Sequence, residues 1–168
     1  MTLPPEAIPS TAPRFLCDAM LLRLGRWLRA AGYDVVMAAD GETDYALLRR
    51  AIDDGRLLLT RDRELAKMRR AENTVVLLQS DGVEACAAEL AERLSIDWQW
   101  KPFSRCLQCN SVLMPATQDQ QQAVPTDIDG PVYYCPNCQQ VFWDGSHVQR
   151  MRDHLARWQA GDYCLSLN

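Results

Sequence analysis

Four cysteines and four aspartates are the residues whose types and spacing could do chemistry. Cys106, Cys109, Cys135 and Cys138 form C-x₂-C-x₂₅-C-x₂-C. Each Cys-x-x-Cys pair spans one tight turn, so both sulfurs can reach one face of a metal, and two such pairs fit a Cys₄ zinc ribbon. Four thiolates close a tetrahedral coordination sphere, which is the mark of a structural rather than a catalytic zinc. Two disulfides or free thiols are the alternative in an oxidising compartment, and an iron–sulfur cluster is another. The opening "MTLPPEAIPSTAPRF" has no basic region followed by an apolar stretch, so a cytoplasmic, reducing setting and metal ligation are expected.

The aspartates Asp18, Asp44, Asp62 and Asp81 each stand where an apolar run gives way to a helical pattern, in "FLCDAM", "GETDYALL", "LLLTRDRE" and "LLQSDG". Asp is a favoured N-cap, so each could simply start a helix, and Asp81 with Glu84 has a capping-box-like spacing. Capping does not explain bare acids gathered at one edge, because like charges repel unless a cation neutralises them. A hard ion such as Mg²⁺ or Mn²⁺, held by a few carboxylates and waters, would resolve that repulsion. It would also activate water against a phosphoryl group. Arg61 and Arg63 flank Asp62, and Arg23, Arg26 and Arg29 recur at i, i+3 and i+6. Arginines beside such a cup suit a phosphodiester, whereas a solvated helix face is the plain reading of the row.

These residues need elements to position them. Over residues 14–98 apolar runs alternate with helical patterns. "RFLCDAM", "YDVVMAA", "RLLLT" and "TVVLLQS" read as strands. "LLRLGRWLRAAG", "TDYALLRRAIDDG", "DRELAKMRRA" and "DGVEACAAELAERLS" read as helices, with Leu21, Leu24, Leu28 and Ala31 on the inner face of the first. Strands alternating with helices imply an α/β fold with a parallel sheet and right-handed crossovers. In such sheets ligands gather at the carboxyl ends of the strands, the rim on which all four aspartates fall. Residues 1–13 read as a loose tail, 14–98 as the sheet domain and 99–168 as the cysteine module, whose Gln-rich middle reads as an exposed loop.

The strings "FLCDAMLLRLGRWLRAAGYDVV", "TDYALL", "GRLLLTRDREL", "PFSRCLQCN", "YYCPNC" and "VFWDGSHVQRM" resemble the Mut-seven carboxy-terminal ribonuclease family, a branch of the PIN-like nucleases. The resemblance covers about residues 14–155. It implies a PIN-like three-layer α/β fold followed by a zinc ribbon, and metal-dependent cleavage of RNA. It matches Asp18, Asp44 and Asp62 to the family's acids, with Asp81 the best candidate for a fourth and Asp40 and Glu42 as alternatives to Asp44.

The net charge of −4 argues against a general nucleic-acid coat but leaves room for a local basic groove. No run of about 18 apolar residues occurs, so no membrane partner is expected. Cys17 and Cys86 sit in apolar patterns and read as small hydrophobes. His147, in "WDGSH", could stand near the substrate or simply start a helix. Phe142, Trp143, Tyr133 and Tyr134 could stack on bases or form the small core of the cysteine module. Two other functions remain open: an RNA-binding module whose acids are caps, and a zinc ribbon that docks a protein partner.

Overall fold

The computed structural model describes residues 12–164; most of the expected loose tail lies outside the described residues. Four short parallel strands form the central sheet: β1 (Phe15–Cys17), β2 (Val35–Met37), β3 (Leu57–Thr60) and β4 (Val75–Leu77). They lie in the order β2-β1-β3-β4, with Cys17 opposite both Met37 and Leu59, and Thr60 opposite Leu77. Phe15, Leu16 and Cys17 are all fully buried, as expected of a central parallel strand covered on both faces.

The helices between them are α1 (Leu22–Ala30), α2 (Asp44–Asp53), α3 (Arg63–Ala66) and α4 (Val83–Leu94). Two apolar clusters cover the two faces of the sheet. One joins Leu24 and Leu28 of α1 to Cys86, Ala87 and Leu90 of α4. The other joins Leu47, Leu48 and Ala51 of α2 to Leu65 of α3. Right-handed crossovers require this division. The chain steps from β1 to β2 in one direction, then through α2 back past β1 to β3 and on to β4, so α1 and α2 must lie on opposite faces. The result is the three-layer α/β arrangement expected from the sequence.

The cysteine half carries a three-stranded antiparallel sheet, β5 (Met114–Pro115), β6 (Tyr133–Tyr134) and β7 (Val141–Phe142), with the short α5 (Gln118–Gln121) between the first two. The Gln-rich stretch is thus not all loop: Thr117 and Gln120 form a capping box that starts α5. The chain ends in α6 (Ser146–Gln159), which returns to the first half. Its Leu155 and Trp158 join the cluster of α1 and α4 together with Trp98. Trp158 packs on Trp27 of α1 and edge-on to Trp98, with ring centroids at 5.1 and 4.8 Å.

One other expectation changes and another holds. The third helix stops at Ala66 rather than near residue 71; the chain turns there, with Arg70 at φ +74°, and Val75 can then enter the sheet beside β3. Gly32 does end the first helix, and for two reasons. Its φ is +101°, and an added Cβ would come within 2.3 Å of the Lys101 carbonyl, so this turn must be side-chain-free for the two halves to meet.

Candidate active site and metal centre

The strand order sets the geometry of the rim. The chain leaves β1 toward β2 on one side and reaches β3 on the other, so the topological switch point lies between β1 and β3. Asp18 follows β1 and Asp62 follows β3, one residue beyond Arg61. Thr60, the fully buried last residue of β3, links them. Its hydroxyl donates to Asp18 Oδ2 at 2.7 Å and accepts from the Asp62 backbone N–H at 3.0 Å. Thr60 escaped the sequence reading because it looked like one more β-branched strand residue; the signal was its place two residues before Asp62.

Capping can now be judged acid by acid. Asp18 precedes a 3₁₀ turn at residues 19–21 but makes no side-chain cap bond, so its partly buried carboxylate has only Thr60 as a partner among the described residues. Asp44 is not a cap: Thr43 caps α2, accepting from Ala46 N–H, and Asp44 is exposed in the first turn. Asp62 does cap α3, with Oδ1 accepting from Glu64 N–H at 2.7 Å. Asp81 is not the N-cap of α4, which is Gly82, and no Asp81–Glu84 capping box forms. Instead Asp81 Oδ1 accepts from Arg61 at 2.7 Å and from Gly82 N–H. Of the two alternatives to Asp44, Glu42 is committed to Arg50 and to Ala39 N–H, and Asp40 is exposed.

The arginines divide in the same way. Arg23 and Arg61 line one cleft of about 170 Å³ beside the rim, with Asp81 at its edge. Arg26 and Arg63 are exposed. Arg29, expected in line with Arg23 and Arg26, is instead buried, at 5% exposure. Its Nε donates to the Val35 carbonyl, and one terminal nitrogen donates to the carbonyls of Leu107 and Gln108, so it serves the cysteine knuckle and not the surface row.

The cysteines converge. All four sulfurs lie within 4.8 Å of one another, and they are the only such group of three or more Cys, His, Asp or Glu ligand atoms among the described residues. Sγ of Cys106 and Cys138 are 3.9 Å apart, and those of Cys109 and Cys135 are 3.4 Å apart. A tetrahedral zinc with Zn–S of about 2.3 Å needs sulfurs about 3.8 Å apart, so the set fits. The two knuckles share one local design. Asn110 and Gln139, each just after a Cys-x-x-Cys, adopt positive φ, and their N–H groups donate back to the carbonyls of Cys106 and Cys135. Hydrogen bonding with Cys109 pushes the Cys138 thiol up to about 12, as expected when several thiols share protons without a cation to stabilise them all as thiolates.

The first knuckle is fastened to the edge of the parallel sheet. Asn110 Oδ1 accepts from Val35 N–H at 3.0 Å, and its Nδ2 donates to Asp34 at 2.7 Å. Arg56 donates to the same Asp34 oxygen, Oδ1, at 2.7 Å and to Oδ2 at 3.3 Å. Burial alone would raise that carboxyl's pKa, but the bonds from Arg56 and Asn110 outweigh burial and hold it below the usual range. His147 is exposed at the start of α6. His154 is stacked on Trp27, and burial lowers its pKa.

A model of the Mut7-C RNAse domain matches residues 13–155, which spans both the rim and the four cysteines. The chain belongs to the Mut7-C RNase family. No curated protein and no solved structure matches it. Membership makes a ribonuclease-like function the coarse reading of this chain, and the four-cysteine cluster makes it a candidate zinc protein. No helix among the described residues is long and apolar enough to cross a membrane.

Proposed function

We propose that this member of the family is a metal-dependent ribonuclease whose centre is the β1/β3 rim. One observation carries the reading: Asp18, at the switch point of the sheet, caps no helix and is tied through Thr60 to the segment that bears Asp62. Asp18, Asp44 and Asp62 are the residues that would hold one or two Mg²⁺ or Mn²⁺ ions. Each keeps at least one carboxylate oxygen without a protein partner among the described residues. Their ligand atoms form no close group among the described residues, so an ion held by all three would reach some of them through its own water. Such an ion, when bound, lowers the pKa of water and stabilises charge on a phosphoryl group.

The chain's own side chains supply the rest. Thr60 fixes one oxygen of Asp18 and so limits how the carboxylate can turn. Asp62 has one oxygen engaged in starting α3 and the other left for a ligand. Asp81 lies past the edge strand β4, two strands from β1, or about 10 Å away at the usual strand spacing. Its role here is to hold Arg61, which with Arg23 would grip a phosphate beside the scissile one. Arg26 and Arg63 would meet flanking phosphates.

Zinc-loaded protein incubated with single-stranded RNA and Mn²⁺ is expected to cut it, and Asp18→Asn or Asp62→Asn to lower the rate by about a hundredfold or more. Equal cutting by Asp62→Asn would overturn the proposal. RNA binding that survives both substitutions without any cutting would favour a binding module instead.

A further inference from the structure

The net-acidic chain hides a basic surface on the face of the sheet away from the cysteines. The segment "RDRELAKMRR", residues 61–70, carries five cationic and two acidic side chains. Its last two arginines turn into a cleft of about 210 Å³ along the α2–α3 seam, which they line with Tyr45, Arg49 and Asp53. Tyr45 is 66% exposed, in the first turn of α2 directly after Asp44. Arg69 and Arg70 are exposed and form no ion pair among the described residues. Arg49 has only a long exposed pair with Asp53, 3.6 Å, and such pairs bind weakly. From Tyr45 to Asp53 is eight residues of helix, about 12 Å at the usual rise, so the cleft leads from the rim away across the protein surface.

We propose that this seam is a second RNA site, the path by which a single strand leaves the rim: Tyr45 stacks on an unpaired base, and Arg49, Arg69 and Arg70 follow the phosphates. The inference rests on the ribonuclease reading and extends it to residues outside the proposed centre. An exposed aromatic beside a row of exposed, at most weakly paired arginines is the pairing that single-strand binding uses: the ring offers a sequence-tolerant stacking face, and the cations answer the backbone. Arg70 adds its own argument. Its φ of +74° lies in the left-handed region, where glycine or asparagine is the easier choice. An arginine there sacrifices backbone comfort for a guanidinium in the cleft.

That strain provides a clean test. Arg70→Gly relieves it and is expected to keep or raise the melting temperature, so weaker RNA binding by this variant cannot be blamed on unfolding. Affinity of the zinc-loaded 168-residue chain for a fluorescent single-stranded RNA, in buffer without Mg²⁺ or Mn²⁺, is read by anisotropy across a salt series. Tyr45→Ala is expected to weaken binding about tenfold. An Arg69→Ala, Arg70→Gly double variant is expected to lower the slope of log affinity against log salt by about 1.4. If wild type binds and cuts RNA but both variants bind it with unchanged affinity and slope, the seam is not on the RNA path and the proposal falls while the ribonuclease reading stands. If wild type neither binds nor cuts RNA, both fall. If the arginine variant weakens binding, Tyr45→Ala does not, and polyglutamate displaces RNA as well as unlabelled RNA does, the seam binds acidic peptide and the proposal is overturned.

Discussion

Thr60 shows how one side chain can serve two others. It is buried, so its hydroxyl must find partners, and it finds the Asp18 carboxylate on one side and the Asp62 N–H on the other. Thr60→Val keeps the shape but removes both bonds. It is expected to cost about 1 kcal/mol in a urea melt and to lower Mn²⁺ affinity or cutting about 10- to 100-fold, the usual effect of losing a group that orients a metal ligand. A fall in activity no larger than the loss of folded protein would show that Thr60 only packs. Glu89 plays a comparable part farther along the rim: its carboxylate accepts from the N–H groups of Gln79 and Ser80, just before Asp81, and from Arg93. Burial works against its charged form, but the bonds from Ser80 and Gln79 win and hold its pKa below the ordinary value of 4.5. A carboxyl depressed in the folded state stabilises above its unfolded pKa, and that stability drains away as pH falls through the folded value. Thermal melts of wild type should therefore decline below about pH 4.5. Glu89→Gln should lower the melting temperature at pH 7 and decline less steeply in acid; parallel curves would rule the contribution out.

At the level of elements, the apolar spacing made the α/β layout readable: Leu24 and Leu28 face inward, as do Leu47, Leu48 and Ala51, and each strand falls within its predicted run. The ends of elements were less readable, because tertiary demands set them. α3 breaks at Ala66 since the chain must come back to pair β4 with β3, and nothing in "ELAKMRRA" forbids a longer helix. The four acids were legible as junction residues, but which of them capped was not, since Thr43 and Gly82, next to Asp44 and Asp81, take the cap positions although Asp is the more favoured type. Arg29 shows the limit best. Helical spacing puts it on the row of Arg23 and Arg26, while two of its three partners, the Leu107 and Gln108 carbonyls, lie 78 and 79 residues away in the chain and no local pattern reveals them. Arg29→Leu would strip donors from the carbonyls of Val35, Leu107 and Gln108. It is expected to cost about 2–3 kcal/mol of stability by urea unfolding and to speed zinc release to a chromophoric chelator. Arg26→Leu, one turn earlier and exposed, should do neither.

Over the whole molecule, the cysteine half is built into the sheet half and does not hang from it. The ties that cross between them include Arg29 to the first knuckle, Asn110 to Asp34 and Val35, and the Trp98–Trp158–Trp27 packing that brings α6 against α1. A zinc that staples Cys106, Cys109, Cys135 and Cys138 would hold the knuckle in the shape that presents Asn110, since Asn110 follows Cys109 directly in a left-handed turn. Without such a metal that turn would keep only its own backbone bond, and the hydrogen bond it gives the edge of β2 would weaken. Removing zinc is therefore expected to reach the sheet as well as the ribbon. The Val35 amide, whose hydrogen is held by Asn110 Oδ1, is a specific reporter. Chelation should speed its exchange with deuterium together with the amides of residues 106–111 and lower the melting temperature of the whole chain in one transition. Amides of α2 and α3, on the far face of the sheet, should change least. Cys135→Ser should reproduce the pattern without chelator, because it breaks the closed coordination sphere through the second knuckle while leaving Asn110 untouched. Protection of Val35 that survives zinc loss would mean the ribbon only rests on the sheet. Loss of it would mean that zinc also supports β2, the strand beside the one that carries Asp18.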